Sequence, residues 1–184
     1  MSSERDARRR ACLDKAAAEV DSLAARGVIT AGNAFSSVLL AKGQMTDAEK
    51  SGAAPFGGAD GDALRASLKA LGYAPEDAAY LLTCDLSGAA LDAGLLREAI
   101  CVIDPATLVL CDDAAVDVVR EAYADDLTIL EDFNEAMLMP GYVVAVCGMR
   151  VLNLGGFASA LEDKQQKQLM WARLKLIPPL AEPY

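Results

Sequence analysis

Residues 32–72 of the chain read GNAFSSVLLAKGQMTDAEKSGAAPFGGADGDALRASLKALG. This stretch holds a short apolar run at residues 38–41, a long polar loop at residues 42–59 and a leucine-bearing helical segment at residues 60–72. A wholly apolar run is typical of a strand that is covered on both faces. A strand that leads through a glycine-containing loop into a helix is where α/β domains place their binding sites. The stretch therefore predicts an α/β fold with a site at the carboxyl end of this strand.

The end of this loop and the start of the helix contain the most informative single residues. Phe56 lies between Pro55 and a glycine pair, which indicates a tightly directed loop. Asp60 is predicted as the N-cap of the following helix, and Gly72 is predicted to end it. The loop is long for an ordinary connection, and loops of this length are usually functional or mobile.

The rest of the chain alternates apolar runs with helical periodicity, which predicts a mostly parallel sheet with helical crossovers. The fold class predicted is α/β, with three layers (α/β/α) around a central sheet of four or five strands. Residues 28–35 are predicted as a connector, residues 74–77 as a turn, and residues 159–162 as a capping box that opens the last helix. Further strands are predicted at residues 78–83, 107–111, 142–146 and 150–154, and helices at residues 3–26, 91–103, 114–123, 130–137 and 159–176.

Length and composition indicate one globular domain. The chain has 184 residues, 53% of them hydrophobic, and a mean hydropathy of +0.22. We predict an amphipathic N-terminal helix within residues 1–27, the α/β domain at residues 28–176 and a tail at residues 177–184. No apolar run approaches the ~18 residues that a membrane span needs, and the N-terminus lacks the apolar core of a signal peptide. A cytoplasmic protein without membrane contact is the expectation.

The charge distribution argues against nucleic acid as a partner. The formal net charge is −10, and residues 44–145 carry five basic and nineteen acidic side chains. DNA affinity comes largely from Lys and Arg side chains that neutralise phosphates. A basic protein is the partner that such an acidic surface would suit, although the sequence identifies none.

Residues 28–176 resemble the uracil-DNA glycosylase superfamily, and its iron–sulfur branch most closely. The pattern Gly32-Asn33, the strand at 38–41, Pro55-Phe56 and the helix ending at Gly72 fall in register with the first half of that family. The segment from Ile100 through the strand at 107–111 continues the likeness, as do Val151-Leu152 and a final helix that contains Lys167 and Trp171. The resemblance implies the family's fold and a base-binding pocket in which Phe56 stacks on the base.

The chain departs from the family where the chemistry resides. The family's catalytic carboxylate falls on Gly43 and its catalytic histidine on Gly156, and the chain contains no histidine. The four cysteines that hold the iron–sulfur cluster are missing as a set, so we expect no cofactor. With both catalytic groups absent, each worth about 10²–10³ in rate, the sequence favours a protein that has lost base excision.

Three aspartates at predicted strand ends are weak candidates for replacement catalytic acids: Asp85, Asp112 and Asp113. Helix capping is the alternative interpretation for the Asp112-Asp113 pair. Cys84, Cys111 and Cys147 also lie near strand ends, but without His or paired spacing they indicate buried thiols rather than a metal or redox site. Phe56 is open to two interpretations, base stacking or packing beneath its loop.

The sequence thus predicts a degenerate uracil-DNA glycosylase-like protein that has lost catalysis and keeps a pocket for a nucleobase or another small molecule. Its predicted ligand-binding residues are Gly43, Pro55, Phe56 and Gly156, with no metal. One alternative is a diverged active glycosylase or hydrolase that uses the rim aspartates. The other is an acidic module that acts through protein contacts.

Overall fold

The sheet is the centre of the molecule, and it has six strands rather than four or five. A computed structural model describes residues 4–74 and 78–177, and within them the chain forms an α/β fold with the strand order β1-β3-β2-β4-β6-β5. The strands are β1 Ile29–Gly32, β2 Val38–Lys42, β3 Ala78–Leu82, β4 Thr107–Leu110, β5 Val143–Val146 and β6 Met149–Asn153. The helices are α1 Glu4–Ala25, α2 Asp47–Lys50, α3 Ala59–Ala70, α4 Ala93–Ile103, α5 Asp113–Ala122, α6 Ala124–Leu127, α7 Phe133–Ala136, α8 Phe157–Ala160 and α9 Lys164–Leu174.

The four inner strands β3, β2, β4 and β6 are mutually parallel, as predicted. Every residue of β2, β3 and β4 is buried, which explains why these strands read as continuous apolar runs. Because parallel strands end on the same side, the residues that follow β2, β3, β4 and β6 share one rim of the sheet.

Helices cover both faces of the sheet, so the domain has three layers. Side chains alternate across a strand: Leu39 and Ala41 of β2 pack in a core with α4 and α5, whereas Val38 and Leu40 pack in a second core with α3, α8 and α9. The second of these cores lies beneath the rim where the sequence places the site.

The outer strands β1 and β5 run antiparallel to their neighbours. The expected connector at residues 28–35 is wrong in part, because Ile29–Gly32 pairs along its whole length with β3. The segment has four residues and is only partly buried, so it lacks the continuous apolar run that marks the inner strands. β5 and β6 form a hairpin whose turn residues Cys147 and Gly148 both have positive φ, 48° and 84°, as a type I′ turn requires.

Two predicted helix starts are wrong. The N-cap of α3 is Gly58, and Asp60 lies inside the first turn, where its carboxylate binds Lys42 instead. The expected helix from Ser159 is divided: α8 ends at Ala160, and α9 begins after Asp163, whose side chain accepts a hydrogen bond from the Gln166 N–H at 2.8 Å.

The N-terminal helix forms, but the amphipathic character predicted for it is not seen: Leu23 is its buried residue, and Leu13 is exposed. Arg26, just beyond its end, forms a bidentate ion pair with Glu98 of α4. None of the helices in the described ranges has the length and hydrophobicity to cross a membrane. Most of the predicted turn at residues 74–77 and most of the predicted tail at residues 177–184 lie outside the described residues.

Candidate functional site

A cavity of about 460 Å³ opens at the carboxyl ends of β2 and β4, and we refer to it as the strand-end cavity. The end of β2, the start of α3, the end of β4 and the start of α8 supply its walls. Its principal lining residues are Lys42, Asp60, Asp112, Gly156, Phe157 and Glu162. The rim predicted from the sequence is therefore open, and Phe157 forms part of the cavity wall.

Lys42 ends β2 with a buried ammonium group that two carboxylates hold. Its Nζ lies 2.8 Å from Oε1 of Glu49 and 2.6 Å from Oδ2 of Asp60. The same ammonium lies 4.7 Å from the centre of the Phe56 ring, in the range of a cation–π contact. Burial acts to lower the pKa of Lys42, but the hydrogen bonds to Asp60 and Glu49 outweigh it, so that pKa lies above its ordinary value.

Glu49 ties the long loop to this lysine. It lies in the capping box of α2, where Oε2 accepts from the N–H of Thr46 at 2.8 Å. Oε1 accepts from the N–H of Phe56 at 2.7 Å as well as from Lys42. Burial acts to raise the pKa of Glu49, but hydrogen bonds from Lys42 and from these backbone groups overcome that effect and lower it. Glu49 thus connects Lys42 at the start of the loop with Phe56 near the end of the loop.

Phe56 packs beneath the loop. Its side chain is fully buried, its ring lies 5.4 Å from the ring of Tyr80, and the Lys42 ammonium sits over it. The residue has a φ of 56°, a left-handed conformation that is uncommon outside glycine. Of the two interpretations of Phe56, the structure agrees with packing beneath the loop. The ring has no exposed surface on which a base could stack.

Asp112 is the N-cap of α5, as the capping interpretation predicted, and it does more than cap. Its side chain accepts from the N–H of Ala115 at 2.8 Å. The same carboxylate accepts from the N–H groups of Gly43 at 2.9 Å and Gln44 at 2.8 Å. These bonds join the ends of β2 and β4 and engage both carboxylate oxygens. Asp112 is therefore bound as a structural anion at the cavity wall.

The other two candidate acids do not line this cavity. Asp113 is exposed in the first turn of α5. Asp85 lies beside a separate depression near Gly27 and Val28, where its carboxylate accepts from the Ser87 hydroxyl at 2.6 Å and from backbone N–H groups of the same turn. Those hydrogen bonds lower the pKa of Asp85. The expectation that these acids would gather around the pocket is wrong for Asp85 and Asp113, because Asp113 begins α5 with its side chain exposed and the Asp85 carboxylate binds groups of its own turn.

Of the predicted ligand-binding residues, Gly156 and Phe56 border the cavity, and Gly43 and Pro55 do not. Gly156 has a φ of 82° and caps α8, and the next residue, Phe157, donates its N–H to the Cys111 carbonyl at 2.8 Å. Gly43 is enclosed: a Cβ there would lie 2.7 Å from the Ala114 Cβ and 2.9 Å from the Thr83 Oγ1. Position 43 therefore has no room for a side chain, let alone for a carboxylate aimed at the cavity.

Replacing Gly43 with alanine is expected to lower the free energy of unfolding by about 1–3 kcal/mol, the usual cost of overpacking. The clash with Ala114 predicts that the double variant Gly43→Ala/Ala114→Gly regains part of the loss, which urea unfolding would measure. Gly58→Ala, whose Cβ would meet only the Asp60 side chain at 3.4 Å, is the control and should cost less. A Gly43→Ala protein as stable as the wild type would show that Ala114 and Thr83 can move to make room for a side chain at position 43.

The three cysteines do not converge. Cys84 is buried and donates its thiol to the Gly43 carbonyl at 3.2 Å, and burial raises the pKa of the Cys111 thiol. Cys147 is exposed in the β5–β6 turn, on the opposite rim of the sheet, so the expectation of a buried thiol is wrong for it. Across the residues that the structure describes, no group of three or more Cys, Asp or Glu side chains is arranged to hold a metal ion.

A second cavity, of about 360 Å³, lies on that opposite rim between α4 and the β5–β6 turn. Two of its lining side chains are bound to Asp126: Arg97 at 2.8 Å and Cys147, which donates its thiol, at 3.1 Å. The strand-end cavity lies where α/β sheets bind ligands, and it is the stronger candidate site.

The Lys42–Glu49–Asp60 cluster was not predicted from the sequence, although two signals pointed to it. A lysine directly follows a wholly apolar strand, where its ammonium needs a partner, and residues 46–49 read TDAE, a capping-box pattern. No signal identified Asp60 as the second partner.

The fold and the site define an α/β domain with a charged cavity at the carboxyl ends of its parallel strands. No family model matches the chain, and no curated protein matches it either.

Proposed function

We propose that the protein is a uracil-DNA glycosylase-like domain that binds a small molecule in the strand-end cavity and does not excise bases. The open cavity carries this proposal. Its volume of about 460 Å³ falls in the range of about 300–1,000 Å³ that is usual for small-molecule sites. A free nucleobase, or a molecule of similar size, is the ligand class that the resemblance suggests.

The loss of excision rests on what surrounds the cavity. Excision needs a carboxylate to stabilise the sugar cation and a donor to stabilise the departing base. Gly43 has no space for the first, and Gly156 has no side chain for the second. Asp112 is a poor replacement because three backbone N–H groups already bind its oxygens. Asp60 is paired with Lys42.

The lining charges favour a free small molecule over a nucleotide within DNA. Asp60, Asp112 and Glu162 line the cavity, and Lys42 is the sole cation among its lining residues. Phosphates that flank a flipped nucleotide would be repelled by this surplus of carboxylates. The hypothesis of a basic protein partner stays a prediction, because it rests on the net charge of the chain and not on any feature of this cavity.

Ligand-observed NMR with free nucleobases tests the binding, and an Ala158→Trp variant tests its place. Ala158 is exposed and lines the cavity, so a tryptophan there should block the cavity without disturbing the core. Binding is expected in the wild type and in the control Ala66→Trp, which alters an exposed position of α3 outside the cavity, and it should be lost in Ala158→Trp. Equal binding by all three proteins would place the ligand elsewhere.

Incubation with uracil-containing single- and double-stranded DNA tests the absence of excision. No abasic sites are expected above the level of a protein-free control. Turnover that disappears in Asp112→Asn would overturn the proposal in favour of an enzyme that recruited this carboxylate.

A further inference from the structure

An apolar groove adjoins the strand-end cavity and shares two of its walls. The groove has a volume of about 410 Å³ and runs between α3 and α9, and we call it the Trp171 groove. Phe157 and Leu161 line both spaces. Beyond them the groove is lined mainly by Met170, Trp171 and Leu174, and also by Lys167.

The charged cluster in the strand-end cavity has unused hydrogen-bond acceptors, and its one cation is held by the carboxylates of the cluster itself. Two hydrogen bonds to Lys42 and Phe56 occupy Oε1 of Glu49, and two to Thr46 occupy Oε2. The Lys42 ammonium, which has three N–H donors, binds two carboxylates and lies against the Phe56 ring. Two of the three donors are therefore used inside the cluster, and only 5% of the Lys42 side chain is exposed to a ligand.

Asp60 holds the spare capacity. Its Oδ2 accepts from Lys42 and its Oδ1 accepts from the Gly61 N–H at 2.9 Å, whereas each carboxylate oxygen has room for two hydrogen bonds. The side chain is largely buried at the cavity wall. One ammonium faces two carboxylates in this cluster, so a net negative charge remains, and it is placed where a ligand would contact Asp60.

We propose that the strand-end cavity and the Trp171 groove form one bipartite site for an amphipathic cation. An amine or amidine head would donate to Asp60, and an apolar tail would cross Phe157 and Leu161 and lie along Trp171. This inference rests on the proposed function, because it names the ligand class of the same cavity. Lys167 favours this direction of binding, since it lines the groove and its cation would repel a cationic head placed there.

The chain provides its own reporter, because Trp171 is its one tryptophan. The probes are n-octylamine, n-octanoate and n-octanol, which share a tail and differ in head charge, and n-butylamine, which has the same head and a short tail. Octylamine is expected to change Trp171 fluorescence in a saturable manner. Octanoate should bind at least about tenfold more weakly, a difference of about 1.4 kcal/mol. Butylamine should leave the fluorescence nearly unchanged.

Two variants test the head contact. Asp60→Asn should weaken octylamine about tenfold and leave octanol unaffected, whereas Asp113→Asn, an exposed acid outside the cavity, should change neither. Because Asp60→Asn also alters the Lys42 cluster and could impair folding, Ala158→Lys provides a second test. That variant adds a cation to the cavity wall without touching the cluster, and it should weaken octylamine and strengthen octanoate. Ala66→Lys is its matched control.

Equal affinity for octylamine and octanoate, or an Ala158→Lys variant that leaves both affinities unchanged, would overturn the bipartite site. So would octylamine binding that Trp171 does not sense. If free nucleobases still bind and Ala158→Trp still abolishes that binding, the proposed function survives this failure. If neither nucleobases nor octylamine bind, both fail together.

Discussion

Replacing Lys42 with methionine is expected to lower the free energy of unfolding by about 3–5 kcal/mol, which is the usual cost of removing one member of a buried ion pair. The ammonium of Lys42 has 2.6–2.8 Å contacts with the carboxylates of Asp60 and Glu49. Without it, two buried carboxylates would face each other with no cation between them. Urea unfolding followed by circular dichroism measures the loss.

Two further variants isolate the charge effect. In Lys42→Met/Glu49→Gln/Asp60→Asn no ionised group remains in the cluster, so most of the loss should be regained. Lys50→Met removes an exposed lysine whose contact with Asp47 is 3.5 Å long, and it should change stability by less than about 1 kcal/mol. A Lys42→Met protein within about 1 kcal/mol of the wild type would mean that the cluster contributes little.

The pH dependence has a defined sign. The pKa of Glu49 is lowered on folding, so its contribution is present above the ordinary glutamate value of about 4.3 and is lost as the pH falls through the lowered value. The pKa of Lys42 is raised, so its contribution is present below about 10.4 and is lost as the pH rises through the raised value. In Lys42→Met, Glu49 keeps its burial and its hydrogen bonds from Thr46 and Phe56 but loses the cation, so the deficit against wild type should shrink as the pH falls toward the ordinary glutamate value of about 4.3.

Most of the sheet was predictable because its signals are local. The inner strands β2, β3 and β4 are apolar runs between turn residues, and strands of this kind are recognisable without knowing their neighbours. The strand β1 was not, because Ile29–Gly32 owes its conformation to pairing with β3, which lies about fifty residues further along the chain. The order of the strands likewise follows from pairing and not from any single segment.

The site was predictable only in outline. Asp112 stands between a strand and a helix, and that order alone identifies a cap. Its bonds to the N–H groups of Gly43 and Gln44 join positions about seventy residues apart, and no local pattern encodes them. The same holds for Asp60, which looked like a cap and instead binds Lys42 across an irregular loop. Polar pairs of this kind depend on where the loop runs.

Gly61 of α3 lies directly against the backbone of Phe56, in the loop at residues 42–59. Replacing Gly61 with alanine is therefore expected to destabilise the protein by at least about 3 kcal/mol, which is at or above the top of the usual range for overpacking. A Cβ at Gly61 would lie 1.8 Å from the Phe56 carbonyl oxygen and 2.6 Å from its carbon. Those atoms are backbone and cannot rotate away. Helix propensity alone predicts the opposite, a gain of about 1 kcal/mol for alanine over glycine within a helix, so thermal or urea unfolding separates the two effects by sign.

Gly94→Ala is the matched control for this substitution. Gly94 lies in the first turn of α4, and its Cβ would meet only the Asp92 carboxylate, at 3.1 Å, so that variant should stay within about 1 kcal/mol of the wild type. The loss in Gly61→Ala should also couple to Lys42, because displacing Phe56 would break the bond from its N–H to Glu49. Free energies of Gly61→Ala and Lys42→Met that simply add in the double variant would argue that the loop and the charged cluster are independent.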